Sequence, residues 1–251
     1  MSNIEGVSAY FLCKYESGKV VLCKMNTNYC PICGSIQILS KNVLWQELIN
    51  EWQLSVEEVD YINRQQGLSC QKCGNNLRSI ALASAIMKTY FYSGTFIDFC
   101  IFNPELKVLE INKAGNLTQF LQKITEHRLI EYPQFDMTNL AIKSEEFDLI
   151  IHSDTLEHVI YPERALSECR RVLRTGGYCI FTVPIIIDRM SRRRDGLVPS
   201  YHGQSGVLES DQMVYTEFGA DFWKSVLKAG FISCEIYSFE YPSALAIIAK
   251  K

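Results

Sequence analysis

The chain has 251 residues, of which 47% are apolar and 21% charged, and its net charge is −3. This composition predicts a globular protein with one large or two small domains, and no apolar run reaches the roughly 20 residues of a membrane helix. The charge argues against a nucleic-acid binder held by phosphate contacts. Because the N-terminus lacks the pattern of a secretion signal, we expect a cytoplasmic protein whose cysteines bind metal rather than form disulfides.

The first 90 residues are predicted to form a small zinc-binding module. A hairpin is expected over residues 7–25, and C-x-x-C-G motifs follow at residues 30–34 and 70–74. The two-residue gap lets both thiolates of a motif face one metal ion, and two such pairs are typical of a structural zinc site. Buried free thiols or a redox pair are the alternatives, and Cys13 or Cys23 could replace a ligand. The predicted ligands are Cys30, Cys33, Cys70 and Cys73.

Helices are predicted between and after the two motifs. Residues 43–52 have an amphipathic pattern, and Ser55 and Glu58 have the spacing of a capping box that opens a second helix. A third helix is expected over residues 75–90, with Arg78 near its start. The remaining cysteines at 100, 169, 179 and 234 fall in apolar patterns and are expected in the core.

The most informative stretch extends from Phe147 to Pro184. An apolar run over residues 147–151 and another over 178–187 have the length and β-branched content of buried parallel strands. Between them, a helix is predicted from Pro162 to the Gly176-Gly177 pair. In such sheets, ligands bind beyond the carboxyl ends of the strands, where this chain has the loop from His152 to His158.

The segments FDLII, LEHV, ALSECRRVLRTGG and FTVP of this stretch resemble the class I S-adenosylmethionine-dependent methyltransferases, in particular the type 11 group. The resemblance runs over roughly residues 107–251. It implies an α/β fold with a Rossmann-like, mostly parallel sheet and an antiparallel C-terminal strand pair, here over 231–238 and 244–249 after a helix over 216–230. It divides the chain into a zinc-binding module, 1–90, and a methyltransferase domain, 91–251.

The resemblance also implies a site for S-adenosylmethionine. Residues 107–112 and 128–132 correspond to the first two strands, but the usual glycine-rich turn after the first is reduced to one glycine, with asparagine and alanine in place of others. Only four residues separate Glu131, the expected ribose ligand, from Asp136, where the expected adenine segment begins. A parallel crossover needs more residues, so the helix between the second and third strands is predicted to be lost, and the third strand can be lost with it. The implied cofactor-binding residues are Glu110, Asn112, Gly115, Glu131, Asp136, Met137 and His152.

Two further groups of residues are candidates for the reaction. Methyl transfer depends mainly on alignment, but an alcohol or acid acceptor can need a base, for which Asp154, His158 and His202 are candidates. Structural capping by His158 and Glu157 is the alternative. Guanidinium groups match phosphate or carboxylate, so an arginine-rich loop predicts an anionic or glycan substrate, unless the loop is simply solvated. Its residues are Arg189, Arg192, Arg193, Arg194 and Tyr201.

The resulting hypothesis is O-methylation of a small anionic or glycan acceptor. A nucleic-acid substrate is disfavoured because the basic stretch is short and lacks interleaved aromatic residues. The alternatives are a protein or tRNA methyltransferase and a degenerate methyltransferase fold that acts only by binding. The glycine-poor turn after Glu110 favours the degenerate fold, whereas the polar loop from His152 to His158 favours an enzyme. The sequence indicates no oligomeric state.

Overall fold

The computed structural model describes residues 29–201 and 212–251. The predicted hairpin over residues 7–25, with Cys13 and Cys23, and the candidate base His202 lie outside these residues. None of the helices in the described ranges combines the length and apolar character that are needed to cross a membrane.

From residue 29 onward, where the structure describes it, the N-terminal part contains three α-helices and one small antiparallel strand pair. The elements are β1 (Ile38–Leu39), α1 (Gln46–Glu51), α2 (Val56–Gly67), β2 (Ser69–Cys70) and α3 (Leu77–Thr89). The predicted capping box opens α2, since the Ser55 hydroxyl accepts from the Glu58 N–H while the Glu58 carboxylate accepts from the Ser55 N–H. At the start of α3, the Asn76 side chain accepts from the Ser79 N–H. Local sequence therefore sets where both long helices begin.

The later described residues, up to 201 and from 212 onward, form a six-stranded sheet, a small three-stranded sheet and four α-helices. In chain order these are α4 (Phe96–Phe102), β3 (Val108–Ile111), α5 (Thr118–Leu121), β4 (His127–Ile130), β5 (Phe147–Ser153), α6 (Pro162–Val172), β6 (Leu173–Thr182), β7 (Ile185–Ile186), β8 (Arg192–Arg193), β9 (Thr216–Gly219), α7 (Trp223–Lys228), β10 (Ser233–Glu240) and β11 (Ala244–Lys250).

The main sheet has the strand order β10-β11-β6-β5-β3-β4. The last four of these strands are parallel, whereas β11 runs antiparallel to both β6 and β10. This arrangement confirms the predicted fold class. Within the described residues no strand pairs with the outer edge of β4, and the chain from Ile130 to Phe147 contains no helix. The predicted loss of the connecting helix is therefore confirmed, and the third strand is lost with it.

Alternate residues of the central strands face two separate hydrophobic clusters, as the two-residue period of a strand requires. On one face, Leu149 and Ile151 of β5 pack with α3 and α4. On the other face, Ile150 packs with α6 and α7. The result is three layers, helix–sheet–helix, and the loops at the carboxyl ends of β3, β4 and β5 remain open for a ligand.

Helix α3 joins the N-terminal part to the sheet. It packs on β11, β10 and β6 and also contacts α2. Every residue from Ser79 to Met87 is buried, and Ile32 and Leu68 of the N-terminal part share its cluster with the sheet. The division of the chain at residue 90 remains a proposal, and the two parts it separates share one hydrophobic core.

Two expected element boundaries differ in the structure. Helix α6 ends at Val172 rather than at Gly176, because residues from Leu173 onward already belong to β6. Residues Thr216–Gly219 were expected in a helix but form β9, which pairs with β7 and β8. These pairings join residues that are more than 20 positions apart in sequence, so helical periodicity alone could not indicate them.

We expect Leu82→Ala in α3 to lower the free energy of unfolding by about 2–5 kcal/mol, because it leaves a cavity where the helix packs in the core. The measurement is urea denaturation followed by circular dichroism. Val56→Ala is the control, since Val56 is 81% exposed and its truncation removes little buried contact. Equal stabilities for the two variants would contradict the packing of α3 described above.

Candidate active site and metal centre

The four predicted metal ligands converge on one point. All four sulfur atoms lie within 4.8 Å of one another, with Cys30 Sγ 3.8 Å from Cys73 Sγ and Cys33 Sγ 3.6 Å from Cys70 Sγ. Four thiolates about 2.3 Å from a tetrahedral zinc ion would be separated by about 3.8 Å. Number, type and spacing of the ligands thus fit a structural zinc site.

The two C-x-x-C-G motifs fold into equivalent turns. The Gly34 N–H donates to the Cys30 carbonyl, and the Gly74 N–H donates to the Cys70 carbonyl, each at 2.8 Å. Both glycines have positive φ, +73° and +69°, a conformation that glycine adopts without strain. The glycines therefore provide the tight turn that brings each cysteine pair to one side.

The residues around the second motif reach the loops at the end of the sheet. The Asn116 amide donates to the Gly74 carbonyl at 2.8 Å, which ties the motif to the turn after β3. Arg78, in the first turn of α3, forms an ion pair with Asp154 in the loop after β5. Gln66 of α2 donates to the same carboxylate at 3.2 Å. The N-terminal part is therefore built into the candidate site.

A cavity of about 550 Å³ lies beyond the carboxyl ends of β3, β4 and β5. This is within the usual size range for a cofactor site. Besides the loop after β5, the lining residues come from the segments that follow β3 and β4. The predicted cofactor residues among them are Asn112, Glu131, Asp136 and Met137. We refer to this space as the cofactor cavity.

The other predicted cofactor residues do not line this cavity. The buried Glu110 carboxylate accepts from the Ala114 N–H at 2.8 Å and from the Thr118 hydroxyl at 2.6 Å, so it holds the turn after β3 in shape. Gly115 lies in that turn with φ +59°. The His152 ring stacks on Phe181 with 4.5 Å between centroids, and its complete burial lowers its pKa to about 3. His152 is therefore neutral and remains behind the cavity wall.

Asn112 takes the place of a glycine at the end of β3. Its φ is +55°, in the left-handed region that asparagine tolerates better than most residues. Its side-chain oxygen accepts from the Tyr132 N–H at 3.0 Å, so the same residue links the ends of β3 and β4. The glycine-poor turn thus keeps a left-handed conformation at the cavity edge.

A second cavity, of about 470 Å³, lies between the α1–α2 region and the ends of β5 and β6. We refer to it as the acceptor cavity. It shares Ser153, Asp154, His158 and Gln212 with the cofactor cavity. Most of its wall is apolar, and the residues that form this part include Leu44, Trp45, Trp52, Leu54, Ile62 and Ile186. The two cavities therefore meet at the loop after β5, with polar groups at the junction.

The candidate base Asp154 is held by several donors at this junction. Besides the contacts from Arg78 and Gln66, its second oxygen accepts from the Thr182 hydroxyl at 3.0 Å. Together these contacts occupy both oxygens of the Asp154 carboxylate. The second candidate, His158, has its Nδ1 3.1 Å from the Met213 carbonyl. Both candidates therefore line the junction, and the Asp154 side chain is held there by three donors.

Glu157 is buried at the same junction without a hydrogen-bond partner. Its residue exposure is 1%, neither carboxyl oxygen has a hydrogen bond within the described structure, and it lines the acceptor cavity. Burial, and then the negative charge of Asp154, raise the pKa of this carboxyl well above its ordinary value. The alternative that Glu157 caps the following helix is wrong, because its carboxyl group makes no such bond.

The arginine-rich loop lies outside both cavities. Arg189 donates to Glu58 and to the Trp52 and Gln53 carbonyls. The other guanidinium groups pair with carboxylates of the same chain: Arg192 with Glu217, Arg193 with Asp195, and Arg194 with Glu217 and Glu51.

Neither these arginines nor Tyr201, which pairs with Met213, lines the cofactor or acceptor cavity. Within the described residues, these side chains therefore make their contacts outside the two cavities.

Sequence reasoning did not assign a site role to Arg78, Gln66 or Glu157. Arg78 could have been suspected because it begins the helix that follows the second cysteine motif, so its position relative to the metal site is rigid. Glu157 lies in the same loop as Asp154 and His158, but its sequence position resembles that of a helix-capping residue. Gln66 has no sequence signal, since only the packing of α2 brings it to Asp154.

We expect Arg194→Ala to lower the free energy of unfolding by about 2 kcal/mol. Arg194 and Glu217 have side-chain exposures of 8% each, and a buried charge that loses a partner is destabilising, although Arg192 still pairs with Glu217. Lys88→Ala is the control, because its partner Glu235 is half exposed and such pairs contribute less than about 1 kcal/mol. The measurement is urea denaturation. Unchanged stability in Arg194→Ala would contradict a structural role for this arginine.

Comparison with known proteins agrees with this geometry. Residues 99–181, from α4 to the end of β6, match a family model described as a methyltransferase domain. A ubiquinone biosynthesis O-methyltransferase from Nitrosococcus oceani is 32% identical over 75 residues, which are 30% of this chain and 32% of that protein. The match thus spans about a third of the relative's length.

Solved structures with a similar fold include two methyltransferases. One is 1,6-didemethyltoxoflavin-N1-methyltransferase from Burkholderia thailandensis, at 14% identity, TM-score 0.40, and coverage of 85% of this chain and 94% of that chain. The other is a possible histamine N-methyltransferase from Thermotoga maritima, at 15% identity, TM-score 0.36, and coverage of 69% and 98%. The family match over residues 99–181 and the order of the strands lead to one conclusion: this part of the chain is an S-adenosylmethionine-dependent methyltransferase domain.

Proposed function

We propose that the protein transfers the methyl group of S-adenosylmethionine to an oxygen atom of a small-molecule acceptor. The observation that carries this proposal is the meeting of two cavities at Ser153, Asp154 and His158. One cavity is lined by residues that the resemblance to the family implies for cofactor binding, and the other lies beside it. A cofactor and an acceptor that occupy them would meet at the shared loop, and such alignment supplies much of the acceleration in group transfer.

The residues of the cofactor cavity suit the polar parts of the cofactor, which supplies an activated methyl group on a sulfonium. Glu131 follows β4 and is half exposed, with Lys113 3.5 Å away. Its two oxygens can accept from both ribose hydroxyls. Asp136 accepts from the Thr138 N–H and hydroxyl through one oxygen, which orients the carboxylate at the side where the family places adenine.

The acceptor cavity favours a molecule with an apolar body and one polar end. Aromatic and aliphatic side chains of the α1–α2 region form one wall, whereas Arg78, Asp154, Glu157 and His158 lie at the end next to the cofactor cavity. A glycan or a strongly anionic molecule would find few polar partners along this wall. The relative from Nitrosococcus oceani is named as an O-methyltransferase, which supports oxygen as the acceptor atom.

The two alternative functions are less well supported by this arrangement. A protein or tRNA substrate would need an open surface at the junction, whereas the acceptor cavity is bordered by α1, α2 and the sheet end. A degenerate binding protein would not need cofactor-cavity carboxylates at the ends of two strands. Cofactor binding decides between an enzyme and a degenerate fold.

We also propose that the four cysteines bind one zinc ion with a structural role. The ion would hold the two motifs together and thereby fix the start of α3, where Arg78 reaches Asp154. In this proposal, residues 1–90 form a module that completes the active site of residues 91–251.

We expect S-adenosylhomocysteine to bind the purified protein with micromolar affinity in titration calorimetry. Glu131→Ala should weaken binding at least about tenfold, or about 1.4 kcal/mol, because ribose hydroxyls lose a charged acceptor. Glu126→Ala is the control, since Glu126 is exposed and does not line the cofactor cavity. Absence of binding to folded wild-type protein would refute the methyltransferase proposal.

We expect one zinc ion per chain by elemental analysis. Cys73→Ser should lose the metal and lower the melting temperature, because a tetrahedral site with one thiolate removed binds zinc more weakly. The same change at Cys234, a half-buried cysteine outside the cluster, should leave zinc content unchanged. The zinc proposal would be excluded if protein from which the metal has been removed kept the melting temperature and the circular dichroism spectrum of the protein as purified.

A further inference from the structure

We propose that Glu157 is the residue that takes the proton from the acceptor hydroxyl group during methyl transfer. The inference rests on the proposed function and adds a catalytic residue to it. It begins from a carboxyl group that is buried, lines the acceptor cavity and has no hydrogen-bond donor in the described parts of the chain.

The absence of a partner is the first argument. Burial of an unpaired carboxyl group is costly, and the other buried carboxylates near the site have donors. Glu110 is bound by the turn after β3, Glu58 by Arg189, and Glu217 by two arginines. Glu157 alone among these four is left open toward a cavity, which is where a ligand hydroxyl would supply the missing donor.

The position of the rival bases is the second argument. Asp154 already accepts from three side chains, which leaves it less free acceptor capacity than Glu157, whose oxygens accept from none in the described parts of the chain. His158 has Nδ1 3.1 Å from the Met213 carbonyl and Nε2 3.6 Å from Glu157 Oε1. This places His158 beside Glu157, where it can orient the carboxyl group or receive the proton afterwards.

The charges that face Glu157 come from several elements. Arg78 on α3 favours the carboxylate, whereas Asp154, in the loop after β5, favours the protonated form. His158 is its neighbour in sequence, and Lys41 lines the same cavity. Glu217 on β9 is paired with Arg192 and Arg194. With burial as the largest cause, the pKa of Glu157 lies well above 4.5, and a base is more effective when its pKa is close to the working pH.

The chemical step balances without a further reactant. The hydroxyl O–H bond breaks and its proton goes to the Glu157 carboxylate. The oxygen forms a bond to the methyl carbon while the carbon–sulfur bond breaks. The electron pair of the broken bond stays on sulfur. The products are the methyl ether, neutral S-adenosylhomocysteine and protonated Glu157, which returns its proton to solvent directly or through His158.

The first experiment measures the melting temperature of wild type and Glu157→Gln against pH, with Glu47→Gln on the exposed face of α1 as the control. The raised pKa means that folded Glu157 binds a proton that the unfolded chain releases, so its contribution to stability falls as pH rises above about 4.5. We expect Glu157→Gln to become more stable than wild type as pH rises to neutral. A lower melting temperature for the variant at every pH would indicate a structural role and overturn the inference.

The second experiment uses infrared difference spectra of wild type and Glu157→Gln with S-adenosylhomocysteine bound and 1-naphthol as the hydroxyl probe. We expect a protonated carboxyl band that persists above pH 4.5 and shifts when 1-naphthol is added, and that is absent in the variant. A band that stays fully protonated over the whole pH range of turnover, or one that does not respond to the probe, would overturn the inference, because the proposed base must be ionised to accept a proton. Failure of wild type to bind S-adenosylhomocysteine would instead refute the proposed function.

Methyl transfer to 1-naphthol is the kinetic readout. Glu157→Gln should retain its affinity for S-adenosylhomocysteine within about twofold, while its turnover falls by at least about 100-fold and loses its dependence on pH at the acid side. Glu47→Gln should match wild type. If His158→Gln, and not Glu157→Gln, removes the acid-side dependence, His158 is the base and the inference is wrong. If 1-naphthol is bound but not methylated, the infrared result alone decides whether Glu157 is the base.

Discussion

The ion pair between Arg78 and Asp154 is the contact on which the candidate site depends. Arg78 lies in the first turn of a helix that starts directly after a cysteine motif, and Asp154 follows the central strand β5. The pair thus connects the four-cysteine cluster to the carboxyl end of the sheet. Because Asp154 has positive φ and accepts from three side chains, the loop that both cavities share is held in one conformation from opposite sides.

The third strand and its helix are lost, so the contact of Arg78 with Asp154 carries more of the support of the candidate site. The sheet ends at β4 within the described residues, so the segment from Ile130 to Phe147 forms only a short irregular connection at the cofactor cavity. On the opposite side, α1 and α2 supply the wall of the acceptor cavity. The helices of the small N-terminal part and the end of the sheet thus enclose the space where the proposed function places the acceptor.

Charge pairing separates residues that stabilise the structure from those available for chemistry. The arginines after β7 are paired with carboxylates or carbonyls, which explains why a loop rich in positive charge does not line a cavity. Glu157 shows the opposite arrangement, a buried carboxyl group without a donor. A group that lowers stability and lies at a ligand cavity is characteristic of sites where function constrains the residue.

The sequence by itself determined the cluster of four cysteines, the strand–helix–strand unit from Phe147 to Thr182, and the loss of the helix after β4. These features follow from spacing and periodicity over short distances, where local geometry leaves few alternatives. Only the tertiary structure decided that Thr216–Gly219 is a strand, that the arginines are paired internally, and that Glu157 lines the acceptor cavity without a hydrogen-bond donor among the described residues. These three features depend on contacts between residues far apart in sequence, or on the absence of such a contact. Long-range contacts and missing contacts leave no local pattern in the sequence.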